Sequence, residues 1–325
     1  MDMGRKHFAT ASGTNIPVLG LGTFEPGSKE GSGRCATAVR EGILAGYRHI
    51  DTASLYGCEE EVGEGIRSSG IPREELFICT KLWDTCWQQY HRPEDVVKSL
   101  NDSLGRMGLS YVDLYLMHWP LAFERTDEFE IQLGANGKPV VDEELTQNHE
   151  PTWRAMEALV QSGKARAIGV SNFTIPQLQA LLKFATIKPA CNQVEAHPWF
   201  PQNELLEFCN KNGVAFVAYS PLGSQPGALH EVTARLLDDK DVMAVAKMNG
   251  VEPAQVLIAW AIQRGTVVIP KSATPSRIIS NFTVPELSPE DFDLIDTICD
   301  RHPSKKHRFV NFDEIWGVTQ YEGDC

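Results

Sequence analysis

A closed (β/α)8 barrel of the TIM type is the fold class this sequence predicts, and three observations carry the prediction. Eight short β-branched or apolar runs recur along 325 residues, and a longer segment of helical period follows them. Neither of the two long polar insertions between them has the character of a domain linker, and single-domain α/β barrels reach this length, so residues 1–325 read as one domain.

The elements follow in order. Residues 6–17 carry His7-Phe8-Ala9, then Ser12-Gly13-Thr14-Asn15, then Ile16-Pro17, which fits a small N-terminal β-hairpin plugging the barrel bottom. The strand candidates are Val18–Leu21, Tyr47–Ile50, Leu76–Cys79, Val112–Leu116, Ala165–Val170, Ala190–Val194, Val214–Val217 and Thr266–Ile269. After the third, Pro93 takes a first-turn position, and Val96, Val97, Leu100, Leu104 and Met107 follow at spacings that suit one helical stripe. Thr174-x-x-Gln177 and Ser288-x-x-Asp291 read as capping signals. Strand starts lie about 23 to 36 residues apart, but roughly 50 separate the fourth from the fifth and the seventh from the eighth. Residues 119–150 and 221–240 are therefore long βα loops, on the face where barrels place their active sites.

Composition narrows the partners. The formal net charge is -13, from 30 basic and 43 acidic residues, the wrong sign for a protein that holds nucleic acid or an anionic membrane. No apolar run approaches the roughly 18 residues of a membrane helix, and no signal peptide or C-terminal targeting motif is present, so a cytoplasmic location is the expectation. Eight cysteines occur without a C-x-x-C and are read as reduced thiols, with Cys299 and Cys325 as candidate exposed ones of incidental role. The sequons at Asn101, Asn172 and Asn281 are then chance matches. No apolar seam demands a second copy, which leaves a monomer as the default.

Gly20-Leu21-Gly22 begins like a dinucleotide fingerprint but lacks the third glycine, and no Walker A, H-E-x-x-H or G-x-S-x-G motif occurs. No metal site is expected. What remains is a set of polar residues at strand ends: Asp51, Tyr56, Lys81 and His118 fall just after the second, third and fourth strands. Taken singly, Asp51 reads equally as a helix cap, Tyr56 as a loop aromatic, Lys81 as a surface charge and His118 as a core histidine. Together they make chemical sense, because a tyrosine with a free pKa of about 10 becomes a useful acid when a cation stabilises its phenolate. Lys81 supplies the cation, and Asp51 holds the lysine. Separately, Lys271 and Ser272 follow the eighth strand, and Thr274-Pro275 reads as a cap and first-turn proline that puts Arg277 at the start of a short helix, an anion site.

The stretches Gly46–Gly57 (GYRHIDTASLYG), Lys81-Leu82-Trp83, Leu114–Pro120 (LYLMHWP) and Ile269–Arg277 (IPKSATPSR) resemble the aldo-keto reductase family, in order and over essentially the whole chain. Within it, the resemblance is to the fungal glycerol dehydrogenases and sugar aldehyde reductases. It implies an NADPH/NADP-binding barrel, with NADH as the weaker alternative, in which Tyr56 is the general acid, Lys81 and Asp51 tune it, and His118 orients the carbonyl. It assigns Thr23, Asp51, Ser171, Asn172 and Gln193 to the nicotinamide end, Tyr219 to stacking on the ring, and Ser220, Leu222 and Ser224 to the pyrophosphate. Lys271, Ser272, Thr274, Arg277 and Asn281 would take the adenosine 2'-phosphate and adenosine. Asn172 and Gln193 also read as turn chemistry and a core hydrogen bond.

For substrate, the resemblance implies an aromatic wall of Phe24, Trp83, Trp119 and Phe123 around Tyr56 and His118. Any one of these aromatics reads equally as barrel core. The chain departs from the family at three points. Ser280 stands where many members carry a glutamate toward the adenine, Phe24 replaces a tryptophan, and the second long loop lacks a tryptophan that narrows the pocket, so a broader site is expected. The expected activity is reduction of small sugar- or polyol-derived carbonyls such as glyceraldehyde. NADP-dependent polyol oxidation and a catalytically weak cofactor-binding module are the rival readings.

Overall fold

The structure is a computed structural model, which describes residues 6–24, 32–82, 92–126, 131–223 and 234–319. It begins with the expected hairpin. β1 (His7–Ala9) and β2 (Asn15–Pro17) pair antiparallel, with Phe8 opposite Ile16. Ile16 is fully buried against inward-facing residues that include Phe77, Ala190 and Val267 at strand starts, so the hairpin does close the barrel bottom. The Ala11 N–H donates to the Gly213 carbonyl at 2.8 Å and ties the hairpin to the wall.

The barrel then runs β3 (Gly20–Gly22), α1 (Arg34–Ala45), β4 (His49–Asp51), α2 (Glu59–Ser69), β5 (Phe77–Leu82), α3 (Pro93–Met107) and β6 (Val112–Met117). It continues with α4 (Glu143–Gln147), α5 (Glu150–Gln161), β7 (Ala165–Ser171), α6 (Ile175–Phe184), β8 (Cys191–Glu195), α7 (Asn203–Asn212) and β9 (Ala215–Tyr219). Next come α8 (Lys240–Asn249), α9 (Pro253–Gln263), β10 (Val267–Val268), α10 (Pro275–Phe282), α11 (Pro289–Asp296), α12 (Ile298–Arg301) and α13 (Asp313–Trp316). Each strand pairs in parallel with the next, and the ring closes where Leu19 bridges Val268 and Gly22 bridges Lys271. Each of the eight expected runs overlaps a strand.

Period-two alternation sorts the strand residues into two cores. Ile50, Ile78, Tyr115, Ile168, Phe216 and Val268 face outward and pack under the helices. The alternate residues face inward, as Phe77 and Cys79, Leu114 and Leu116, Ala167, Cys191, and Ala215 and Val217 do, and fill the barrel. Extending the inward rows by one step of two brings them to Lys81, His118, Gln193 and Tyr219, and two steps from Ala167 reach Ser171. The top layer of the barrel is thus polar where the layers beneath it are apolar.

Helix ends follow from local chemistry. α3 has Pro93 in its first turn, Glu94 and Asp95 beside it, Arg106 in its last turn and Gly108 in left-handed conformation after it. Val96, Leu100, Leu104 and Met107 are buried as the spacing predicts, but Val97 is 39% exposed, since it lies one residue off that stripe. The Thr174–Gln177 capping box is present, and Ser288 Oγ accepts from the Asp291 N–H. Thr274 precedes α10 without a side-chain cap; the Ser272 hydroxyl instead accepts from the Thr274 N–H at 3.2 Å.

α2 and α3 approach so closely that a Cβ built on Gly63 would lie 2.1 Å from the Met107 carbonyl oxygen. Gly63→Ala is therefore expected to destabilise the fold by about 1–3 kcal/mol, since backbone cannot yield as a side chain does. Urea denaturation of parent and variant measures it.

Candidate active site

Lys81 is fully buried, and its ammonium has three hydrogens and three partners. Nζ donates to Asp51 Oδ1 at 2.6 Å, to the Thr52 carbonyl at 2.9 Å and to the Tyr56 hydroxyl at 3.2 Å. The second carboxylate oxygen of Asp51 accepts from Gln193 Nε2 at 2.8 Å, across the barrel. Asp51 and Lys81 prove to be strand residues, the top of inward rows, where the sequence reading put them just beyond strand ends. Tyr56 sits on a short 3-10 turn after β4, and His118 follows β6 directly.

The electrostatics follow from burial and charge. Burial is the largest single effect and works against the Lys81 charge, but the Asp51 carboxylate, aided by Tyr56 and Cys79, holds the ammonium above its ordinary range. Tyr56 is pushed up to about 12, because burial of the phenolate exceeds the pull of Lys81. The sequence argument anticipated a lowered tyrosine; here Lys81 limits the rise instead of reversing it. Since the Lys81 N–H donates to the Tyr56 oxygen, the tyrosine keeps its own hydrogen for a partner in the cleft.

The opposite wall is an amide cluster. Asn172 Nδ2 donates to the His118 carbonyl at 3.0 Å and to Ser171 Oγ at 3.2 Å, its Oδ1 accepts from the Tyr219 hydroxyl at 2.9 Å, and Ser171 Oγ donates to the Gln193 carbonyl at 2.7 Å. Asn172 and Ser220 have φ values of 63° and 48°, a left-handed backbone that non-glycine residues seldom adopt. Both line the cleft, where such strain concentrates.

That cleft encloses about 1210 Å³ of space, its open mouth included. Of the expected residues it is lined by Thr23, Phe24, Asp51, Tyr56, His118 and Trp119 on one side and by Asn172, Gln193, Tyr219, Ser220, Leu222 and Lys271 on the other. The Phe24 ring lies 5.0 Å from that of Tyr56, and the Tyr56 ring meets His118 edge-on at 5.9 Å. Phe123 does not line it. It is buried against Trp316, 5.6 Å between centroids, in the cluster that backs Trp119. Ser171 lies beneath the lining, Ser272 faces a neighbouring cavity, and Thr274, Arg277 and Asn281 sit further along on and before α10. Trp83, Ser224 and Cys325 lie outside the described residues. Cys299 is half-buried, with its thiol donating to the Pro198 carbonyl at 3.2 Å, and so is no exposed thiol.

Sequence reading missed three contributors. Val310 and Phe312, from the segment after α12, close the cleft from the far end of the chain. Glu195 anchors that segment: fully buried, it accepts from the Phe309 N–H at 2.7 Å, the Val310 N–H at 2.8 Å and His197 Nε2 at 2.9 Å. Burial opposes the Glu195 charge, yet the His197 bond and the two backbone donors hold its carboxyl below the usual range. The signal was present, for Glu195 is the next inward position after Gln193 on β8.

Fold and site together define a barrel enzyme whose polar groups meet at the C-terminal ends of the strands. The chain belongs to the aldo/keto reductase family, whose profile matches residues 18–300. It is 46% identical over 323 residues to a glycerol 2-dehydrogenase (NADP(+)) of Hypocrea jecorina, covering 98% of each chain. It is 43% identical over 301 residues, 91% of each, to the aldehyde reductase YPR1 of Saccharomyces cerevisiae. Among solved structures, the aldose reductase of Schistosoma japonicum superposes with a TM-score of 0.82 at 35% identity, over 97% of this chain and 98% of that one. No helix among the described residues is long and apolar enough to cross a membrane.

Proposed function

We propose that this chain is an NADPH-dependent reductase of small sugar- or polyol-derived aldehydes and ketones, with Tyr56 as the proton donor. The carrying observation is the direction of one hydrogen bond: Lys81 donates to the Tyr56 oxygen, and the phenol hydrogen is left to the cleft. His118, edge-on to Tyr56, lies where it can fix the carbonyl beside that hydrogen. Asp51, itself held by Gln193, keeps Lys81 charged and placed. In the oxidative direction the Tyr56 oxygen, as a phenolate held by Lys81, would take the proton back, so a glycerol dehydrogenase activity like that named for the 46%-identical relative would use the same groups.

The donor set suits a nicotinamide dinucleotide. Asn172 and Gln193 bring amides, which both donate and accept, into the lining beside Tyr219, and that lining runs on to Lys271. When bound, the cofactor supplies the hydride. Ser220 and Leu222 lie along its proposed course, with Thr23 beneath the nicotinamide end. Lys271, Ser272 and the exposed Arg277 supply charge and hydrogen bonds for a 2'-phosphate, with Thr274 and Asn281 flanking it.

Initial rates with glyceraldehyde and either NADPH or NADH, beside glycerol with NADP, test the reading. Fast aldehyde reduction with NADPH is expected; no turnover in either direction would overturn it. Arg277→Ala is expected to raise KM for NADPH by about 10- to 100-fold, the value of one charge-assisted hydrogen bond. KM for NADH should stay unchanged, and equal losses for both cofactors would remove Arg277 from the phosphate site.

A further inference from the structure

Two cysteines that the proposed reaction does not use face each other at its edge. Cys35 is the second residue of α1 and Cys58 precedes the first residue of α2. Glu61, in the first turn of α2, accepts from the N–H groups of Gly33, Cys35 and Ala36 at 3.1, 2.8 and 3.2 Å, so the start of one helix is fastened to the start of the other. A Cβ on Gly65 would lie 2.7 Å from the Ala36 carbonyl oxygen, which shows how tightly the two helices meet. In this arrangement both thiols line one small cavity, together with Thr23, Tyr56 and Lys271.

Cys58 is also bound to the catalytic side. Its Sγ donates to Thr23 Oγ1 at 3.7 Å and lies 3.8 Å from Thr52 Oγ1. Thr23 in turn donates to the Asp51 carbonyl, and the Thr52 carbonyl accepts from Lys81. The thiol thus sits two residues from Tyr56 and next to both residues that flank the ion pair.

We propose that Cys35 and Cys58 form a redox site, at which a hydroperoxide closes a reversible disulfide that pulls the Tyr56 turn out of register and stops turnover. The Cys58 thiolate attacks the peroxide, the O–O bond breaks, and a sulfenic acid forms; the hydroxide (or alkoxide, from an alkyl hydroperoxide) that leaves takes up the proton the Cys58 thiol had released and becomes water (or an alcohol). Cys35 sulfur then attacks the sulfenic sulfur and expels hydroxide, which takes the Cys35 proton and leaves as water. Two thiols lose two electrons in all, and the peroxide gains them. Closing the bond removes Cys58 from Thr23 and Thr52, and with them the support of the turn.

The other thiols make the site selective. The neighbouring Cys35 thiol, with the Thr52 hydroxyl, holds Cys58 down at about 7 against burial. Burial pushes Cys79, Cys191 and Cys209 up, and Cys79 and Cys191 are sealed inside the barrel. Such thiols react slowly.

The test treats the reduced full-length protein with a small molar excess of hydrogen peroxide and follows intact mass, alkylation mapping and turnover. The expected result is a loss of about 2 Da, a peptide linking Cys35 to Cys58, and a fall in turnover of more than about fivefold that dithiothreitol reverses. In Cys35→Ser the bond cannot close, and Cys58 is expected to gain about 16 Da instead. Cys58→Ser, as a second variant, should show neither change. Alkylation of both cysteines undiminished by peroxide, or a cross-link elsewhere, overturns the site; full disulfide with unchanged turnover overturns its hold on Tyr56. The mass readings do not depend on the proposed substrate, so failure of that reading and failure of this one are separable.

Discussion

Replacing Tyr56 by phenylalanine is expected to lower aldehyde turnover between about 100- and 10,000-fold, the usual weight of a positioned general acid. Cofactor affinity should stay within about twofold of the parent, since the ring that packs on Phe24 and His118 is kept. The substitution removes the hydroxyl proposed as donor and takes an acceptor from Lys81, whose other two bonds remain. Single-turnover rates and a fluorescence titration with NADPH measure the two quantities separately. A variant that reduces aldehydes as fast as the parent would show that the proton comes from elsewhere. A parallel loss of cofactor affinity would make Tyr56 a binding group.

Lys81→Met should remove activity and weaken the fold together. Asp51 would keep its charge in a site where it is 2% exposed, with Gln193 as its remaining side-chain donor. Breaking one side of a buried pair costs about 3–5 kcal/mol, because the partner charge stays out of water. The denaturation midpoint should fall accordingly. Adding Asp51→Asn to Lys81→Met removes the stranded charge and should recover part of the stability but none of the turnover. If the double variant is no more stable than the single one, the loss comes from packing of the lysine stem and not from the charge.

Much of this site is legible in the sequence because a barrel converts spacing into position. Once Phe77 and Cys79 are inward, Lys81 is too, and the same step of two carries Leu116 to His118 and Val217 to Tyr219. What sequence does not show is which residues meet across the ring. Gln193 holds Asp51 from 142 positions away, and no local pattern states that contact. The aromatic wall was read one residue too generously: Phe123 and Trp119 both follow β6, but a fold of the long loop sends Phe123 behind the wall, against Trp316. The tail was missed for a related reason. Val310 and Phe312 carry no motif, and their place at the cleft is set by Glu195, far upstream. Tyr56 departs from expectation in its electrostatics, because residue types give charge and not depth.

The clasp made by Glu195 has a bearing on how such a protein diversifies. Its carboxylate grips the backbone amides of Phe309 and Val310, groups every residue but proline possesses. Those two bonds do not depend on which side chains the stretch carries, although Phe309 itself is also packed into the core. The clasp thus fixes one rim of the cleft independently of the Asp51–Lys81–Tyr56 cluster, whose bonds lie at β4, β5 and the turn after β4.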